Sequence, residues 1–295
     1  MNMVPFDFKK FIDTMTQAVK NGDISEERIN DAVRRILTVK YELGLFDHPY
    51  SDPALLSTVG SDAHRELARQ AVRESLVLLK NDANALPLVK DSAVIYVAGQ
   101  GADDIGLQSG GWTIEWQGKV GDIQPGTTIL DGIRAAVSEN TQVEYSPDGD
   151  FTEMADVGIA VVAEQPYAEG VGDTENLSLN PADIAAITNL RAHSRKLIVI
   201  ILSGRPMMIT DQYPIADAWI AAWLPGTEGA GIADVLFGEY PFTGKLPYSW
   251  PRTHEQLPIN MNNSTDLSGC DAPLFPYGYG LGEAGSEPIE WLDCP

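Results

Sequence analysis

Apolar residues along this chain change their period as it proceeds. Over residues 8–41 they recur at helical spacing: Phe8, Phe11, Ile12, Met15 and Val19, then Ile29, Val33, Ile36, Leu37 and Tyr41. Residues three and four apart share one helix face, so each set forms a stripe. Gly22 closes the first run. Ser25 stands where an N-cap belongs, with Glu26 and Glu27 in the first turn, where the helix dipole favours acids. Gly44 is a plausible stop. The spacing predicts two antiparallel helices with no sheet of their own, which must pack on something else.

Residues 44–60, GLFDHPYSDPALLSTVG, are rich in Gly, Pro, Asp and Ser and read as a linker. A third helix is expected from Asp62 to about Ser75, then a short apolar run and a turn in LVLLKNDANALPL, residues 76–88. From residue 93 strands and helices alternate. AVIYVAG (93–99), VGIAVVA (157–163), KLIVIIL (196–202) and DAWIAAW (217–223) are apolar throughout, as strands buried on both faces are. TTILDGIRAAVS (127–138), PADIAAITNLRAH (181–193) and GAGIADVLFG (229–238) read as helices, the second opening on a proline. This alternation predicts the α/β class, with a mostly parallel sheet between helices. After Leu281 no period is visible.

Charge narrows the partners. The net charge of −22, from 42 acidic against 20 basic residues, argues against nucleic acid and anionic membrane surfaces. It suits a neutral ligand. No apolar run approaches the roughly 18 residues of a membrane span. The start, Met1-Asn2-Met3-Val4-Pro5, shows no secretory leader, which leaves a cytoplasmic protein or a true start upstream. Cys270 and Cys294 can pair or both stay reduced, and neither has a nearby His for a zinc site. His48, His64, His193 and His254 are scattered, with no metal-ligand spacing. Asn176-Leu177-Ser178 and Asn262-Asn263-Ser264 fit the glycosylation acceptor pattern.

Four stretches could carry chemistry. Glu164 is the first polar residue after the VGIAVVA strand; ligands of α/β sheets collect outside the carboxyl ends of strands, where a carboxyl can serve as general acid. Its plain alternative is the first solvated residue after a strand. GGWTIEWQG (110–118) sets two tryptophans around Glu115, and a Trp on such a loop can offer its flat face to a sugar. The alternative buries both rings under the loop. Ser203-Gly204-Arg205-Pro206 brings a cation to a strand end, able to orient a carboxylate or to cap the sheet. The turn Gly99-Gln100-Gly101-Ala102-Asp103-Asp104 approaches the dinucleotide fingerprint but has Asp104 where the third glycine belongs, so a tight turn is the better reading.

Taken together, ordered stretches resemble glycoside hydrolase family 3, the β-glucosidases and exo-β-glucanases. They are RESLVLLKN (73–81) with Leu86-Pro87-Leu88, GGWTIEWQG (110–118), AEQPYAEGVGD (163–173), LSGRP (202–206), AAWLPGTEG (221–229), FTGKLPYSWP (242–251) and LFPYGYGL (274–281). The GGWTIEWQG loop looks closest to the exo-1,3/1,4-β-glucan glucohydrolase branch. The resemblance implies a (β/α)8 barrel followed by a six-stranded α/β sandwich. Residues 1–44 would be the last barrel helices, 45–60 the interdomain linker, 61–281 the sandwich, and 282–295 a tail that could begin a further domain.

By motif, Glu164 matches the family's catalytic acid/base and Trp112 one of two tryptophans that clamp the sugar at the +1 subsite. Glu115 and Gly111 look like loop-supporting residues, and Asp173 lies in the continuation of the acid loop. The family's nucleophile is an aspartate on the barrel, which this chain lacks. The resemblance implies a retaining exo-acting hydrolase of β-glucosides and β-glucan oligosaccharides, with no cofactor or metal, secreted or periplasmic when intact. Alone, the chain is expected to be inactive or at most weakly glucan-binding.

Overall fold

The apolar runs form the middle of one sheet in the computed structural model, which describes residues 2–260, 267–283 and 285–294. The sequon at Asn262-Asn263-Ser264 lies outside the described residues. The strands are β1 (Val77–Asn81), β2 (Val94–Ala98), β3 (Gln142–Tyr145), β4 (Ala155–Ala163), β5 (Ser194–Leu202) and β6 (Ala218–Trp223). Their order across the sheet is β1-β6-β5-β4-β2-β3. Every pairing is parallel except β1 with β6. β4 and β5 stay in register from Ala155 opposite Ser194 to Ala163 opposite Leu202, and nearly every residue of both is buried.

The two edge strands are the elements that the apolar pattern does not single out. β1 begins inside the LVLLKN run and meets β6 antiparallel, a pairing no local pattern encodes. β3, QVEY, is short and only half-buried. β3 lies at an outer edge and is only partly covered, so the continuous apolar run is missing there, whereas β1 is buried from Val77 to Lys80.

The chain divides into two units, Met1–Ser61 and Asp62–Pro295. In the first, α1 (Phe8–Asn21) ends on Gly22 in the left-handed conformation, and α2 (Glu26–Glu42) starts from Ser25, whose hydroxyl accepts from the Arg28 N–H at 3.2 Å. Ile12, Val33, Leu37 and Tyr41 of the predicted stripes are exposed.

In the second unit the helices are α3 (Asp62–Ser75), α4 (Ile105–Ser109), α5 (Ile129–Ala136), α6 (Pro181–Ala192) and α7 (Gly229–Leu236). α6 packs on β4 and β5, while α5 and α3 pack on α7. Ion pairs join α3 to α7: Arg69 and Arg73 both grip the buried Asp234, with Arg73 Nε at 2.6 Å, and Arg65 meets Glu228 at 2.9 Å. Cys270 and Cys294 are disulfide-bonded, and Trp291 of the tail stacks on Tyr213 at 5.0 Å. Among the described residues no helix is long and apolar enough to cross a membrane.

This winding places the site. The chain leaves β2 for β3 at one edge, then returns to β4 on the other side of β2 and proceeds to β5 and β6. The direction reverses between β2 and β4, and a crevice opens at such a reversal, outside the carboxyl ends of the strands.

Candidate active site

Two loops meet at that reversal. The first, Gly110–Gly118, follows α4 downstream of β2; the second, Glu164–Asn180, follows β4. Asp104 anchors the first loop from below: its carboxylate accepts from the Leu107 N–H as the cap of α4 and from the Gly121 N–H, both at 2.8 Å. The near-fingerprint turn thus uses its aspartate to fix loop geometry. Gln117 then ties the loops together, its Oε1 accepting from the Ala168 N–H at 2.9 Å. Gly111 lies so close to the second loop that a Cβ there would stand 2.0 Å from the Tyr167 carbonyl oxygen.

Trp112, at the tip of the first loop, is 69% exposed, and Trp116 is 53% exposed. The reading that buries both rings is corrected: both are largely exposed, and their backbones bond to one another, Trp112 N–H to Trp116 O at 2.9 Å. Trp112 and Ile114 adopt left-handed backbone, with φ of 60° and 62°. That conformation is costly for residues other than glycine, so the loop holds its tip in a strained shape. Glu115 points away to an exposed ion pair with Lys119. Its backbone carbonyl accepts from the Gly118 N–H at 3.0 Å and so helps close the loop.

Glu164 continues the ladder by one residue, its N–H donating to Leu202 O at 3.0 Å, so its side chain leaves from the very end of β4. Arg205 leaves from the end of β5, the neighbouring parallel strand, and the two meet. Arg205 Nη2 is 2.8 Å and Nε 2.9 Å from Glu164 Oε1. The Tyr167 hydroxyl donates to Oε2 at 3.3 Å. Only 11% of the Glu164 side chain is exposed. Arg205 Nη1 donates to Gly172 O at 2.7 Å, and its guanidinium lies 4.3 Å above the Tyr167 ring. Burial, reinforced by the Glu164 charge, pushes the Tyr167 hydroxyl up to about 12. The same two causes push the Tyr248 hydroxyl up.

Beside these groups lies a cavity of about 340 Å³, lined by Glu164, Tyr167, Arg205, Asn176, Asn180 and Asp183 among others. Asp183 is buried in the first turn of α6, accepting from the Ala163 N–H at 3.2 Å and from Asn180 Nδ2 at 2.6 Å. Burial raises its carboxyl to about 6 against those two hydrogen bonds. Asp173 sits exposed in the turn of the second loop, its N–H on Gly170 O at 3.1 Å.

The structure therefore brings Glu164, Gly111 and the Trp112 loop together and leaves Glu115 and Asp173 outside the cluster. Arg205 was legible as a cation able to orient a carboxylate, although its partner was not. Tyr167 and Asp183 carried no separable signal, since a Tyr in a polar loop and an Asp in a helix's first turn have ordinary structural uses.

The fold and site define an α/β module with a held carboxyl at its switch point and exposed tryptophans on the adjoining loop. The chain belongs to glycoside hydrolase family 3: residues 76–283 match the family's model "Glycosyl hydrolase family 3 C-terminal domain". It is 32% identical to a lysosomal beta glucosidase of Dictyostelium discoideum, over 95% of this chain and 37% of that protein. It is 31% identical to a periplasmic beta-glucosidase of Salmonella typhimurium, over 95% of this chain and 43% of that protein. Among solved structures it resembles the exo-1,3/1,4-beta-glucanase ExoP of a Pseudoalteromonas species, with TM-score 0.86 and 39% identity over 99% of this chain and 38% of that one. A Listeria innocua beta-glucosidase in complex with glucose superposes with TM-score 0.75 at 26% identity, over 91% of this chain and 40% of its own. The chain thus spans less than half the length of each of these relatives.

Proposed function

We propose that this chain is the C-terminal portion of a retaining, exo-acting β-glucosidase or β-glucan glucohydrolase, and that Glu164 is its general acid/base. The single observation that carries this reading is a largely buried, tethered carboxyl at the sheet's switch point, in a chain of this family. Glu164 protonates the departing glycosidic oxygen while an aspartate of a preceding barrel domain attacks the anomeric carbon. In the second step Glu164 takes a proton from water, whose oxygen displaces the aspartate and releases glucose with retention. Such a pair of carboxyls stands about 5–5.5 Å apart. This chain supplies one of them. Trp112 offers the +1 sugar a flat exposed face; Gly111 and Glu115 maintain its loop.

On this reading residues 1–44 are the last barrel helices, which accounts for their exposed apolar stripes, and residues 45–60 link them to the sandwich. The disulfide and the lysosomal and periplasmic relatives support a location outside the reducing cytoplasm. Glu164→Gln in the full-length protein is expected to lower turnover of laminaribiose by at least about 100-fold. Aryl glucosides with good leaving groups, which need no protonation to depart, should be cleaved in the first step almost as before. Unchanged turnover of laminaribiose would refute the assignment. The 295-residue chain by itself is expected to hydrolyse neither substrate; glucose release that depends on Glu164 would point to a second carboxyl within this chain.

A further inference from the structure

Resting on the reading of Trp112 as the face offered to the +1 sugar, we propose that Gln117 is a positioning residue: it locks the tryptophan loop to the second loop and so fixes where that sugar ring sits. The two loops meet along three consecutive residues of the second. A Cβ at Gly118 would stand 2.8 Å from the Pro166 Cβ, and one at Gly111 would stand 2.0 Å from the Tyr167 carbonyl oxygen. Ala168 comes next, buried, with its N–H donating to Gln117 Oε1 at 2.9 Å. Among the described residues this is the one hydrogen bond that crosses from loop to loop.

The glycine contacts and the hydrogen bond differ in kind. Close packing at a glycine sets how near two backbones can come, but it does not stop them from sliding or separating. A hydrogen bond is directional and resists both. The register of the loops therefore depends on Gln117. On one side, Gln117 follows Trp116, whose carbonyl accepts from the Trp112 N–H at 2.9 Å, and precedes Gly118, whose N–H donates to Glu115 O at 3.0 Å. On the other side, Ala168 leads into Glu169 and Gly170, both in left-handed backbone with φ of 27° and 52°. A reversal that tight takes its direction from the residue that enters it, and Gln117 holds that residue's N–H.

The side-chain amide can face only one way. The Ala168 N–H requires an acceptor, so Oε1 must meet it. Among the described residues Nε2 is then left buried with no hydrogen-bond partner. Such orphan donors are rare in folded chains, and stability alone gives no reason to keep one. Placing an uncharged carbonyl oxygen at this reach does give a reason, since asparagine is shorter and glutamate carries a charge.

The test is carried out in the full-length protein with two substrates that differ at +1: laminaribiose, which places a second sugar ring there, and β-glucosyl fluoride, which has no second ring. Gln117→Met keeps the length of the side chain and removes the acceptor. It is expected to lose about fivefold in kcat/KM on laminaribiose, short of the about tenfold expected of Trp112→Ala, and less than about twofold on the fluoride. The double variant separates placement from general damage. If Gln117 acts through the placement of Trp112, the double variant should lose about tenfold, as Trp112→Ala does alone, and not the about fiftyfold of two independent losses. Gln117→Asn withdraws the amide by one methylene; it should behave as Gln117→Met and serves if that variant does not fold. Equal losses on both substrates in both Gln117 variants, losses that multiply in the double variant, or no loss on laminaribiose would overturn the role of Gln117. These outcomes are separable from the parent reading: that reading fails if Trp112→Ala leaves laminaribiose turnover intact, whereas the lock alone fails if Trp112→Ala is impaired and the Gln117 variants are not.

Discussion

Gly111 lies directly against the carbonyl of Tyr167, leaving no room for a side chain: the nearest position of a Cβ is 2.0 Å from that oxygen. This contact joins the loop that bears Trp112 to the loop that bears Glu164. Gly111→Ala must therefore push the loops apart. We expect it to destabilise the chain by about 1–3 kcal/mol, the usual cost of overpacking, measured by urea unfolding. A change within about 0.5 kcal/mol would show that the loops are not in contact in solution.

Trp112 combines exposure with left-handed backbone, and its two small replacements should separate these features. Trp112→Gly relieves a φ of 60° that glycine adopts freely, whereas Trp112→Ala does not. The glycine variant should be the more stable of the two by about 1 kcal/mol. In the full-length protein both should weaken glucoside binding about tenfold, the effect of losing a contact of about 1.4 kcal/mol. Equal stability of the two variants would argue against the strained tip.

Asp183 is expected to make stability fall as pH rises. Its carboxyl is raised to about 6 in the folded chain from an ordinary value of 3.8, so between these limits the folded state holds a proton that the unfolded state has lost. Stability then declines with pH across that window, reaching a cost of about 3 kcal/mol at neutral pH. Asp183→Asn keeps an acceptor for the Ala163 N–H and cannot ionise. Its stability relative to the parent chain should rise from pH 4 to pH 7 in thermal melts. A difference that stays flat with pH would show that Asp183 is not held protonated.

Asp234 has the opposite sign. Burial opposes its charge, but hydrogen bonds from Arg69 and Arg73 outweigh burial and hold it below the usual carboxylate value. Its contribution is complete above pH 4 and is lost as the pH falls through its lowered value. Removing one partner of a buried pair costs about 3–5 kcal/mol. Arg69 is still 34% exposed, so water can take over part of its charge. Asp234→Asn should accordingly cost about 2–3 kcal/mol at pH 7 by urea unfolding. A cost below about 1 kcal/mol would mean that α3 and α7 are joined by their apolar contacts alone.

Much of this molecule was legible from local pattern. β2, β4, β5 and β6 announce themselves as apolar runs because central strands bury both faces, and α3 and α6 keep the predicted span to within a residue because their ends are set by short-range polarity and capping. β1 and β3 were not marked as strands, since an edge is defined by its neighbour and not by its own residues. Glu164 stood out by its place after a strand, and the family's ordered motifs gave it a role to test.

What the sequence determined is therefore whatever depends on residues a few positions apart: the alternation of strand and helix, the capped ends, the carboxyl at the end of β4 and the cation at the end of β5. The tertiary structure decided which of these meet. β4 and β5 are adjacent and parallel, so Glu164 and Arg205, 41 residues apart, form an ion pair at 2.8 Å. The reversal of winding between β2 and β4 sets the Trp112 loop beside the Glu164 loop. Pairings of that range are chosen by the burial of the whole sheet, in which each residue's partner is fixed by the strand order, and no stretch of the chain read alone contains that order.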